Sequence, residues 1–159
     1  AEGEVCEPAN DNGGGQIVIS GNAAAIDRAI ALAQERGAKR ALPLSVSAPF
    51  HCRLMQPAAD RMAEALADAE ILVPRVPVVT NVTAAPTSDP AEIRERLVRQ
   101  VTGQVRWRES IEWLAANGVN SLVEIGSGKV LTGLARRIDR SLEGRAIGTA
   151  DDVRAFTAG

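Results

Sequence analysis

The sequence predicts an α/β protein, and two observations carry that prediction. From residue 53 onward, short apolar strands alternate with helices whose apolar residues recur every three or four positions, the pattern of a sheet layered against helices. Residues 1–47 read instead as strand, hairpin, strand, helix and strand, most of an α+β unit with one strand and one helix missing at its front. At 159 residues the chain is long enough for one ordinary domain with its own core.

The opening from Ala1 to Ala9 is weakly strand-like and carries neither a start methionine nor a capping signal, so it reads as the middle of something longer. Asn10-Asp11-Asn12-Gly13-Gly14-Gly15 is a dense turn signal, because Asn and Gly tolerate positive φ, and the β-branched run Gln16 to Ser20 makes a hairpin with what precedes it. Gly21-Asn22 offers a helix cap, and Ile26, Ala29, Ile30 and Ala33 lay an apolar stripe along a helix ending near Gly37. Lys39 to Val46 is expected to be the next strand, with Pro49 discouraging helix before it and His51 at its end.

Met55, Ala58, Met62, Ala65 and Leu66 then share a helical face to about residue 68, while Asp60, Arg61, Glu64 and Asp68 give the solvated one. Val78 to Val82 is read as a strand and Ala84 to Asp89 as a loop, with Ser88 or Asp89 capping a helix that has Pro90 in its first turn. Ile93, Leu97 and Val101 are its expected buried side, and Gly103 ends it. A helix opening at Val105 to Arg108 carries Trp107, Ile111, Leu114 and Ala115 on one face and stops at Asn117-Gly118. Ser121 to Ile125 is expected to be a parallel strand buried on both faces. A helix with Val130, Leu131, Leu134 and Ile138, a strand near Arg145 to Gly148, and a short helix from Asp151 close the chain.

Composition excludes several functions. The chain is 45% hydrophobic and 24% charged with a net charge of −2, so it has no electrostatic case for a polyanion. Aromatic residues make up 3% and tyrosine is absent, which argues against a base-stacking surface; no nucleic acid is expected. No apolar run approaches the roughly 20 residues that span a bilayer, and no signal segment is visible, so a cytoplasmic location away from membranes is the expectation. Cys6 and Cys52 are too few for a disulfide framework or a zinc cluster and are read as reduced thiols; no metal site is expected.

His51 is the only histidine. Its junction between a strand and a helix suits an acid/base imidazole held by rigid elements beside a cleft, yet a lone histidine is more often a structural or surface residue than a catalytic one. Gly126-Ser127-Gly128-Lys129 fails the Walker spacing and the dinucleotide fingerprint, and reads as a tight strand-to-helix turn. Ile125 stands where a nucleophile elbow around Ser127 would need its first glycine. Cys52 is next to His51, but side chains of neighbours on an extended segment diverge. No nucleophile is visible, and Met55 and Met62 suit packing.

Several stretches, in this order and spacing, resemble one family: Asn10-Asp11-Asn12 before Gly15 to Gly21, Gly37 to Leu44, Phe50-His51-Cys52 with Leu54-Met55 and Pro57-Ala58, Pro77-Val78-Val79 with Asn81-Val82, Leu97 to Gln100, Val105-Arg106-Trp107, and Glu124-Ile125-Gly126 with Gly128 to Leu131 and Gly133-Leu134. The family is malonyl-CoA:acyl carrier protein transacylase, and the chain resembles its C-terminal half. The resemblance implies that residues 1–47 belong to an incomplete ferredoxin-like small subdomain and residues 48–159 to the C-terminal part of an α/β-hydrolase-like large subdomain. It implies malonyl transfer from malonyl-CoA, a substrate rather than a bound cofactor, to the phosphopantetheine thiol of acyl carrier protein, through an acyl-serine intermediate in fatty acid biosynthesis.

By the same resemblance, His51 matches the general base and Gln100 the residue whose main-chain carbonyl orients the imidazole. Phe50 matches a position that favours malonyl over methylmalonyl, or it simply packs. Asn12 matches an asparagine at the active-site mouth, or it simply makes the turn. The serine elbow, its oxyanion-hole amides and the arginine for the malonyl carboxylate belong to the family's N-terminal half and are not in these residues, so that half is an expected partner. Two alternatives stay open: an acyltransferase domain of a polyketide synthase, against which the short stretch after Phe156 argues, and a non-catalytic module docking an acyl carrier protein through Arg136, Arg137 and Arg140.

Overall fold

The computed structural model describes residues 3–158; Ala1 and Glu2, where the strand-like opening was expected to begin, lie outside them. Strand β1 (Cys6–Asp11) pairs antiparallel with β2 (Ile17–Gly21), and the expected hairpin turn is built on Gly13, Gly14 and Gly15, at φ +75°, +58° and +81°. Three successive left-handed residues are what that glycine run permits at no steric cost. Helix α1 (Ala23–Glu35) follows from Asn22, whose side chain does not cap it but accepts a hydrogen bond from the Val5 N–H at 2.8 Å, tying helix entry to the residue just before β1.

The expected strand over Lys39 to Val46 does not form. Residues 38–46 have no ladder partner, and Leu42, Leu44 and Val46 are 57%, 60% and 62% exposed. Alternation marks a face to be covered, but a strand also needs a neighbour to take its N–H and C=O groups, and none of the described strands lies beside it. His51 therefore ends no strand. It sits in a turn with φ +62°, followed by a single 3₁₀ turn (Arg53–Met55) and helix α2 (Gln56–Ala67). On α2 only Ala59 is buried, and Met62, expected inside, is exposed.

Strand β3 (Val78–Thr80) is shorter than expected, and the segment read as a loop contains its partner, β4 (Ala85–Thr87). Pro86 argued against a strand; on a two-stranded ribbon its missing N–H costs no ladder bond. Helix α3 (Pro90–Thr102) starts as expected, with Asp89 Oδ1 accepting from the Ala91 N–H at 2.7 Å. None of its residues is fully buried, however, and Leu97 is exposed. Helix α4 (Trp107–Ala116), strand β5 (Ser121–Ile125), helix α5 (Val130–Ile138), strand β6 (Glu143–Ile147) and helix α6 (Ala150–Thr157) complete the chain.

The best-closed core lies in this last stretch, where Ile111, Ala135 and Leu142 are buried and Trp107, Leu114, Ala115, Leu122 and Ile138 pack around them. β5 and β6 are parallel, as the apolar run predicted, but β5 is not covered on both faces: Val123 and Ile125 are 42% and 82% exposed. Among the described residues α5 packs against both strands of this sheet and α6 against β6, and neither covers the side chains of Val123 and Ile125. Val130 and Leu131, at the start of α5, are likewise bare. The total accessible surface of 10590 Å² exceeds the about 7,600 Å² of a compact monomer of 16.7 kDa. Both cysteines are free thiols, Cys52 being buried. No helix among the described residues is long and apolar enough to cross a membrane.

The hairpin is joined to the rest through β1. Its outer edge meets Val105, whose N–H donates to Ala9 O at 2.8 Å and whose carbonyl accepts from the Asp11 N–H at 2.9 Å. Arg108 Nε donates to Asp11 Oδ2 at 2.9 Å, and Gly13 touches Ile138 so closely that an added Cβ would stand 2.5 Å from it.

Candidate active site around His51

The site is built at the end of α3. Gly103 stops that helix, and the carbonyl of Gln100 is among the last ones left without an intrahelical donor. His51 Nδ1 lies 3.0 Å from that oxygen. A carbonyl only accepts, so Nδ1 carries the hydrogen and Nε2 is left as the acceptor of the ring. Gln100 is itself fixed, because its side-chain amide donates to Gly103 O at 3.1 Å.

The turn carrying His51 is held from below. Cys52 is fully buried, its Sγ–H donating to Pro49 O at 3.2 Å, and the Met55 N–H donates to Cys52 O at 3.0 Å. Positive φ at a residue with a Cβ is uncommon, though His is among the residues that adopt it more readily. Glu7 on β1 adds an outside hold: its Oε2 accepts from the Arg53 N–H at 2.9 Å and its Oε1 from Arg53 Nε at 3.0 Å.

Asn12, Phe50 and His51 all line one open groove of about 1090 Å³, bounded by β2, α1 and residues 38–51. Phe50 is 47% exposed there, so its ring is not a core residue. Asn12 closes the hairpin turn, its N–H donating to Gln16 O at 3.0 Å. Gln100 is not among the groove's walls; it meets the site through its carbonyl alone. Next to it, the Arg106 N–H donates to Asn81 O at 3.0 Å and its guanidinium to Thr83 O at 3.1 Å, joining the β3–β4 turn to the start of α4. Its hydrogen bond to Glu109 raises the arginine and holds the Glu109 carboxyl below its ordinary value.

The glycine turn after β5 does not present a free anion cradle. The Glu124 carboxylate accepts from the N–H groups of Thr132 and Leu131, at 2.8 and 3.0 Å, at the beginning of α5. The Thr132 bond foremost holds this carboxyl below its ordinary range. Glu124 enters the sequence analysis only as part of a matched stretch and with no role, although a lone carboxylate inside an apolar strand before a glycine turn is a visible signal. Glu7 and Arg53, 46 residues apart, gave none. Among the described residues, no cluster of His, Cys, Asp or Glu is placed to hold a metal ion.

No protein-family model matches the chain. Known proteins do. The malonyl CoA-acyl carrier protein transacylase of Salmonella typhimurium is 51% identical over 147 residues, covering 92% of this chain and 48% of its own length. The crystal structure of an acyl-carrier-protein-S-malonyltransferase from Bartonella henselae is similar with a TM-score of 0.93 at 57% identity, over 99% of this chain and 50% of that one. A type II PKS acyl-carrier protein in complex with its malonyl-transacylase matches with a TM-score of 0.92 at 44% identity, over 100% of this chain and 52% of that one. The chain spans about half the length of the curated relatives it matches. In sequence and in fold, this α/β chain is similar along nearly its whole length to the C-terminal half of the malonyl CoA-acyl carrier protein transacylases, which are acyltransferases.

Proposed function

We propose that this chain is the C-terminal half of a malonyl-CoA:acyl carrier protein transacylase acting in fatty acid biosynthesis in the cytoplasm, and that His51 is its general base. The observation that carries the reading is the 3.0 Å contact of His51 Nδ1 with the Gln100 carbonyl, which leaves Nε2 to take a proton. A serine outside these residues loses its hydroxyl proton to Nε2 as its oxygen attacks the malonyl thioester. Collapse of the tetrahedral intermediate breaks the carbon–sulfur bond, and the imidazolium returns the proton to the CoA thiolate. The phosphopantetheine thiol of the carrier then gives its proton to Nε2 and attacks the acyl-serine ester; the serine oxygen leaves with that proton.

Residues 1–47 are read as part of the ferredoxin-like small subdomain and residues 48–159 as part of the hydrolase-like large one, with the groove of Asn12, Phe50 and His51 between them as the acyl channel. Phe50 beside the malonyl α-carbon disfavours an added methyl, by about 1–3 kcal/mol. The upstream half, with the serine and the arginine for the malonyl carboxylate, covers the bare apolar faces of β5 and residues 38–46. Alone, the chain is expected to be inactive. In the full-length protein His51→Ala should lower malonyl transfer by about 10²–10⁴-fold, followed by the mass of the acylated carrier; near-normal transfer would falsify the assignment.

The similarity to a malonyl-transacylase in complex with a type II PKS acyl-carrier protein favours a second reading, transfer to a polyketide carrier. Competing malonyl-CoA with methylmalonyl-CoA, and the two kinds of carrier with one another, separates the readings. Arg136, Arg137 and Arg140, which with Gly133 line a depression along α5 and just beyond its end, supply the charge for an acidic carrier. A docking module without catalysis would bind carrier through them in a salt-dependent way while His51→Ala changed nothing.

A further inference from the structure

The backbone changes direction twice beside the imidazole. His51 is left-handed at φ +62°, Cys52 is extended at φ −141°, and the chain then enters the helical turn from Arg53. The first N–H of such a turn has no partner within it. Here that N–H, two residues from His51, is taken by Glu7 Oε2 at 2.9 Å, while Glu7 Oε1 holds the same residue's guanidinium at 3.0 Å. The other backbone hydrogen bonds of residues 49–55 stay within or next to that segment. Among the described residues, Glu7 is thus the one group that ties the backbone of the His51 turn by a hydrogen bond to an element distant in the chain. It does so from the strand that leads into the turn of Asn12 and carries Asp11 to Arg108.

We propose that Glu7 is a positioning residue for His51: by binding the Arg53 N–H it keeps the left-handed turn that aims Nδ1 at the Gln100 carbonyl. The proposal rests on the reading of His51 as the base. A surface ion pair alone would contribute little, since Arg53 is largely exposed; what matters is the backbone bond, and a misplaced base is costly in rate. In the full-length protein, Glu7→Ala should lower kcat about five- to twentyfold with KM for acyl donor and carrier unchanged. Glu7→Gln, whose amide oxygen still accepts from the Arg53 N–H, should recover most of the loss. In a crystal structure of Glu7→Ala, the Nδ1 to Gln100 separation should open from 3.0 Å to beyond hydrogen-bonding distance.

An unmoved imidazole in that structure overturns the proposal whatever the rates show, and so does a Glu7→Gln enzyme as slow as Glu7→Ala. His51→Ala, assayed alongside, decides the other question. If it leaves transfer intact, the reading of the base fails while the separation still reports whether Glu7 positions the ring.

Discussion

Two regions of this molecule carry equally regular apolar patterns and end up in opposite states. From α4 to β6 the pattern closes on itself, and Ile111 is wholly buried against Ala135 and Leu142. Along residues 38–46 and the outer face of β5, side chains as apolar as these face solvent, Ile125 at 82% and Val46 at 62%. Periodicity therefore marks a face that is to be covered, without saying whether the cover lies in the same stretch of chain.

The sharpest break of this contrast is Ile111→Ala, which should cost about 2–5 kcal/mol of unfolding free energy in a denaturant titration, because the cavity has no room to collapse. A cost under one kilocalorie would mean that the closed region is looser than its packing. Gly13→Ala should come next, at about 1–3 kcal/mol, since the new methyl meets Ile138 at 2.5 Å and the residue must keep φ +75°.

A smaller effect is expected at Glu124, whose carboxyl is held below its ordinary range foremost by the Thr132 N–H. Because the folded state lowers this value, the stabilisation is fully present above the unfolded carboxyl's titration and is lost as pH falls through the lowered folded one. Glu124→Gln should therefore bring the stabilities near pH 7 and near pH 3 closer together, by about the share that this one carboxylate contributes. An unchanged slope would count against the bond to α5. Last, Ile125→Ser in this chain alone should stay within about 0.5 kcal/mol, as at other exposed positions. In the full-length protein the same substitution should be clearly destabilising, and equal effects in both would refute the covered-face reading.

What was legible in the sequence follows the same division. The hairpin, α3 with its Asp89-Pro90 start, α4 and the glycine turn into α5 were readable because their signals are local: turn residues, caps and spacing. The strand over 39–46 and the double burial of β5 depended on neighbours that these residues do not contain, and β4 was hidden by a proline that a two-stranded ribbon accommodates. At the site, the bare sequence offered His51 without a partner, and Gln100 entered through family resemblance, since no side-chain pattern announces a carbonyl. Glu7 was invisible for a simpler reason: its contact to Arg53 exists only once β1 and the 3₁₀ turn are folded together.

The Gln100 contact also bears on how such a site is inherited. The atom facing His51 belongs to the main chain, so most amino acids at position 100 can supply it and lose only the amide bond to Gly103 O, and a saturation scan there would record a more tolerant position than the histidine. The genetic signature moves three residues on. At Gly103 any Cβ would stand 2.8 Å from Arg99 O and 2.8 Å from Val82, so the helix end that exposes the carbonyl is guarded by a residue that makes no hydrogen bond to the imidazole. Sequence surveys that score positions one at a time would file Gly103 under folding and underrate Gln100, although the two positions encode a single hydrogen-bond acceptor.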